Sequence, residues 1–116
     1  MNTLTPYQSH VAKILRHSTK ESPVTGRTIG RMVGIQENAK TDGANLRSVI
    51  HALRVKGFPI CADSNGYFWA GDAEELQEFI ISFQGRVDEQ QKAVDGLRAS
   101  YDKVGAAPEP KQGALI

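Results

Sequence analysis

Five polar side chains, Asn45, Arg47, Ser48, His51 and Arg54, fall within ten residues and offer hydrogen-bonding groups with a basic bias. Between them lie Leu46, Val49, Ile50 and Leu53, whose 3-1-3 spacing makes one apolar stripe at the period of an α-helix. Burying that stripe turns the polar set outward. Directly after it, Gly57-Phe58-Pro59-Ile60-Cys61 and Tyr67-Phe68-Trp69 flank Asp63-Ser64-Asn65-Gly66, the pattern of a short hairpin with a glycine-containing turn. A polar helix face beside a β-ribbon is a shape that enters a DNA major groove and grips its flank.

Other chemistries find less support. His10, His17, His51 and Cys61 are scattered, without the close paired spacing of a zinc site, so no metal is expected. Gly26, Gly30 and Gly34 lack the preceding strand that a phosphate-binding loop requires. No Ser or Cys has a base and an orienting group in a nucleophile motif, and the acids from Asp72 to Glu78 read as a solvated helix start. The expectation is a protein that is not an enzyme and needs no cofactor. Cys61 reads as a small buried residue in a strand.

A chain of 116 residues is one domain with at most an appendage. Hydrophobic content of 40% with 23% charged residues is that of a soluble globular protein. No apolar run approaches the roughly 20 residues that span a bilayer. A polar start without a secretory core makes the cytoplasm the expected compartment. The net charge of +1 conceals a division. Residues 1–60 carry nine Lys and Arg against three Asp and Glu, a net +6, whereas residues 61–116 carry five against ten, a net −5. An anion-facing first half follows, and nucleic acid is favoured over a membrane because no basic helix carries exposed aromatic anchors.

The elements that must position these groups are well punctuated. Thr5 caps a helix that has Pro6 at its first position, carries Tyr7, Val11, Ile14 and Leu15 at helical spacing, and ends near His17. A short helix over 25–33 starts at Thr25, buries Ile29, Met32 and Val33, and stops at Gly34. Gly30 would let the next helix approach. A polar linker to Gly43 precedes the third helix, capped by Thr41 or Asp42 and ended at Lys56-Gly57. After the hairpin, a long helix runs from Asp72 to about Val104, its acidic start favoured by the helix dipole. Its first part, widened by Phe79, packs on the domain, and Trp69 would lie beneath it. The expected organisation is a domain over 1–71, a helix over 72–104 and a disordered tail over 105–116.

The run from Leu46 to Ile60, followed by Asn65-Gly66-Tyr67-Phe68-Trp69, resembles the recognition helix, Gly-(Phe/Tyr)-Pro-Ile step and wing of winged helix-turn-helix domains of the biotin-operon-repressor type. Similar small phage proteins carry a helical C-terminal extension. The resemblance covers about residues 5–70 and departs from the family in the linker from Gln36 to Gly43, which lacks its compact turn. It implies an α+β, mainly α fold of three helices and a β-hairpin wing, with Thr41, Asn45, Arg47, Ser48 and His51 facing the major groove of double-stranded DNA. Asn suits adenine and Arg suits guanine by bidentate geometry. Lys40, Arg54 and Lys56 would contact phosphates, Arg27 and Arg31 would add to them, and Ser64 and Asn65 at the wing tip would approach a neighbouring backbone or minor groove. Transcriptional regulation or a replication accessory role in a phage or bacterium would follow.

Along the long helix, Leu76, Ile80, Phe83, Val87, Gln90, Val94, Leu97, Tyr101 and Val104 recur at alternating spacings of four and three. This is a coiled-coil seam with one polar interruption. A homodimer through Val87, Gln90, Val94, Leu97, Tyr101 and Val104 is the expectation. The alternatives are a helix that folds back on its own domain and, for the domain, a module that binds a host or phage protein instead of DNA.

Overall fold

The computed structural model describes residues 3–105. Its elements are α1 (Pro6–Arg16), α2 (Gly26–Val33), α3 (Ala44–Val55), β1 (Ile60–Asp63), β2 (Gly66–Trp69), α4 (Ala73–Ala99) and α5 (Tyr101–Val104). The fold is α+β and mainly helical, with one two-stranded antiparallel sheet. The described residues divide into two units, the first ending at Phe79 and the second starting at Ile80. The boundary lies later than residue 72, because the first turns of α4 belong to the first unit.

Local signals start and stop the first two helices. The Thr5 hydroxyl accepts from the Gln8 backbone N–H, and the Gln8 side chain accepts in return from the Thr5 N–H, a capping box around Pro6. Thr25 caps α2 through the Thr28 N–H, and Gly34 ends it at φ +76°. The Ile35 N–H then reaches back to the Gly30 carbonyl. Two expectations for α2 change. Its buried face centres on Ile29, Gly30 and half-buried Val33, so Met32 falls outside it and is 55% exposed. The close approach occurs at Gly26, where an added Cβ would lie 3.2 Å from Leu46 Cδ2, whereas one at Gly30 would meet nothing within 4 Å.

Helix α3 starts at Ala44 after Gly43, which offers no side chain as a cap, so neither Thr41 nor Asp42 is the capping residue. Its end is a Schellman motif. The Gly57 N–H donates to the Arg54 carbonyl, the Phe58 N–H donates to the Leu53 carbonyl, and Gly57 takes φ +95°. Pro59 follows and the chain enters β1. Pairing begins at Ile60, not at Gly57, in the register Ile60↔Trp69, Cys61↔Phe68, Ala62↔Tyr67 and Asp63↔Gly66. The loop is the two residues Ser64 and Asn65, with the Asp63 carboxylate accepting from the Asn65 N–H.

Val24, between α1 and α2, bridges Tyr67 by two backbone hydrogen bonds of 2.8 Å. That lays the α1–α2 connection against β2. Gly66 makes the approach possible: it has φ +140°, and a Cβ there would lie 2.7 Å from the Val24 carbonyl oxygen.

Val11 and Leu15 of α1, Ile29 of α2, Leu46, Ile50 and Leu53 of α3, and Ile60 of β1 form the core. Each buried aliphatic side chain of this kind contributes about 1.5–3 kcal/mol of transfer free energy. Phe68 is buried, whereas Phe58 is half-buried and meets Trp69 edge to face at 6.0 Å. The Arg16 guanidinium covers the Trp69 ring at 5.4 Å. Burial pushes the Cys61 thiol up, the charge of Glu75 adds to the effect, and Arg54 and Lys20 oppose it.

Asp72 caps α4 through the Glu75 N–H, and Glu75 reaches back to the Gly71 N–H. Within the first unit, Glu78 pairs with Lys20 at 3.8 Å. The long helix is not continuous to Val104. It stops at Ala99, where the Ser100 hydroxyl donates to the Leu97 carbonyl, and α5 resumes at Tyr101. Of the tail expected over 105–116, all but Gly105 lies outside the described residues.

Candidate nucleic-acid interface

The linker that the sequence leaves irregular is built around Asn38. Its side-chain oxygen accepts from the Lys40 and Thr41 N–H groups, the Thr41 hydroxyl accepts from the Asn38 N–H, and the Asp42 N–H donates to the Asn38 carbonyl. Asp42 takes φ +40° and Gly43 φ +87°, which turns the chain into α3.

The N–H groups at the start of α3 find their acceptor six residues before Gly43. The Glu37 carboxylate accepts from Leu46 N–H at 2.9 Å and Asn45 N–H at 3.3 Å. Desolvation would raise the Glu37 pKa, but hydrogen bonds from Leu46, the Thr41 side chain, Asn45 and Gly43 outweigh it and hold the carboxyl below its ordinary value. Sequence reading missed this residue. Its only signal is indirect: a helix that starts at glycine needs an acceptor from elsewhere.

Two predicted contact residues support the same corner. The Asn45 amide donates to the Gln36 carbonyl at 2.8 Å, and Arg47 Nη1 donates to the Asp42 carbonyl at 3.0 Å. Both side chains remain exposed. Thr41 is half-buried in the turn, while Lys40 is exposed at its tip.

Between α2, the linker and α3 lies a concavity of about 550 Å³. Arg27 and Arg31 line it from α2 and Arg47 from α3, Gly26 and Gly30 form part of its wall, and Tyr67 also lines it. Glu37 and Asp42 are its acidic members, so the positive charge is partly balanced. Ser48 and His51 continue outward along α3 as exposed residues. Val55, 73% exposed on the same face, was not singled out from the sequence.

Two expected phosphate contacts do other things. Arg54 does not face outward. It is half-buried, its Nε donates to the Ile60 carbonyl at 2.8 Å, and its guanidinium stacks 5.0 Å from the Phe79 ring and 6.0 Å from Tyr67. Arg54 shares a side of α3 with Arg47, but the hairpin that follows the helix folds over it. Lys56 Nζ donates to the Thr3 carbonyl at 3.0 Å and to Gln8 Oε1 at 2.9 Å, which ties the end of α3 to the start of α1. Ser64 and Asn65 are exposed at the hairpin tip and do not line the concavity.

Among the described residues, no group of three or more His, Cys, Asp and Glu side chains could hold a metal ion, and no helix is long and apolar enough to cross a membrane. Comparison of the chain with protein-family models, curated proteins and solved structures found no match.

Proposed function

We propose that the first unit is a winged-helix domain that binds double-stranded DNA through α2, the linker turn and the outer face of α3. The convergence of Arg27, Arg31 and Arg47 on one concavity, with Lys40 on the adjoining turn, carries this reading. Guanidinium groups lining one concavity suit phosphates and guanine edges better than they suit an apolar ligand. Support also comes from the order of three helices and a hairpin, with Val24 bridged to Tyr67 of β2. In this arrangement Arg27, Arg31 and Lys40 hold the phosphate backbone. Arg47, Ser48 and His51 reach base edges, and the wing tip adds little electrostatic grip because Asp63, Ser64 and Asn65 carry no positive charge. Glu37 already satisfies the N-terminal N–H groups of α3, so phosphates are held by side chains and not by that helix end. A transcriptional regulator or a replication accessory protein would use such a surface.

Fluorescence anisotropy with labelled duplexes tests the assignment. Arg31→Ala should weaken binding to all sequences about equally and reduce the salt slope by about 1, whereas Arg47→Ala should reduce discrimination between sequences by about 1–3 kcal/mol. Unchanged affinity in both variants contradicts it. The diversion of Arg54 and Lys56 into internal contacts favours a second reading, in which the same concavity takes an acidic segment of a partner protein. Binding of such a partner, without duplex affinity even at low salt, would support that alternative.

A further inference from the structure

We propose that the second unit forms a parallel, in-register, two-stranded coiled coil with a second copy of this chain. The inference does not depend on DNA binding.

Ile80, Val87 and Val94 occupy successive a positions of a heptad, and Phe83, Gln90 and Leu97 the matching d positions. The five apolar members are 39–68% exposed, on a helix whose residues from Ile80 to Ala99 are all exposed. Tyr101 and Val104 keep the same phase after the Ser100 break. β-branched residues at all three a positions of α4, with leucine at a d position, favour two parallel strands.

Charge and polarity identify the occupant. Asp88, Glu89 and Asp95 fall at b and c positions, away from the seam, and Gln84 and Gln91 bind Asp88 and Asp95 along the helix at 2.8 and 2.9 Å. The flanking e and g positions of α4 from Ile80 onward therefore carry only Arg86 and Arg98 as charges. In parallel register Arg86 meets Gln91 of the second copy and Arg98 meets Ala93, so no like charges oppose each other. Gln90 decides the direction. A parallel pairing sets its amide against the same amide of the second copy, where each can donate and accept. An antiparallel pairing that overlaps Ile80–Leu97 sets it against Val87, which can do neither. An unrelated apolar surface would leave it equally unsatisfied.

The full-length chain tests this without DNA. Wild type should sediment at twice 12.7 kDa, and Leu97→Asp at 12.7 kDa, with the single tryptophan, Trp69, reporting an unchanged first unit. Gln90→Cys should cross-link to itself under mild oxidation, while wild type, whose Cys61 is buried, should not. A monomeric wild type, a trimeric mass, or a Leu97→Asp variant that keeps the doubled mass overturns the proposal. So does cross-linking that requires a mixture of Gln90→Cys and Val87→Cys chains, the antiparallel outcome.

Discussion

Glu37 shows how one side chain can define a helix start that no local pattern announces. With its carboxyl pKa lowered, the unfolded chain takes up the proton before the folded one does. The stabilisation from the cap is therefore complete above the ordinary carboxylate range and declines as pH falls through the folded-state pKa below it. Thermal unfolding from neutral to acidic pH should show wild type losing stability over that interval and Glu37→Ala losing less. An equal acid dependence in the two proteins would refute the capping role. Gly66 makes a different demand, because a methyl group there meets the Val24 backbone. Gly66→Ala should cost about 2 kcal/mol in chemical denaturation, whereas Gly30→Ala, with open space at its Cβ, should be neutral or stabilising. Neither residue could be weighted from the sequence. The acceptor for α3 lies outside the span in which caps are sought, and the contact at Gly66 comes from a segment more than forty residues earlier.

Elements were legible where their instructions are local. Thr5-Pro6, Thr25 with Gly34, and Lys56-Gly57 each mark a helix end within one turn, and the apolar stripe of α3 is buried as its spacing requires. What the pattern could not supply was the use of long basic side chains. Arg54 has the helical phase of an outward residue, yet the hairpin and Phe79 cover it, and Lys56 is held by Gln8 and Thr3. Both make contacts between elements. Arg54→Ala should therefore destabilise the first unit by about 1–2 kcal/mol, through loss of the Ile60 hydrogen bond and the aromatic contacts, while the folded variant retains its DNA affinity. A variant of native stability with reduced DNA affinity would return Arg54 to the interface. The candidate site is consequently smaller than the sequence suggested, with two arginines from α2, Arg27 and Arg31, and one from α3, Arg47.

At the scale of the molecule, residues 1–60 carry a net +6 and residues 61–116 a net −5, and the proposed DNA surface lies in the basic half. Two copies joined through the second unit would present two such surfaces, and linked binding raises apparent affinity without any new contact. Leu97→Asp, which touches no proposed DNA contact, should lower duplex affinity on the order of 100-fold if both surfaces engage one duplex. Unchanged affinity would mean that each surface acts alone. Beneath all of this lies the claim that Arg27, Arg31, Lys40 and Arg47 face a polyanion. A salt titration of duplex binding measures that most directly, because each neutralised phosphate contributes about −0.9 to the slope of log affinity against log salt. The account predicts binding at about 50 mM salt with a slope of about −3 or steeper. No binding at that salt, or binding with a flat slope, would contradict it.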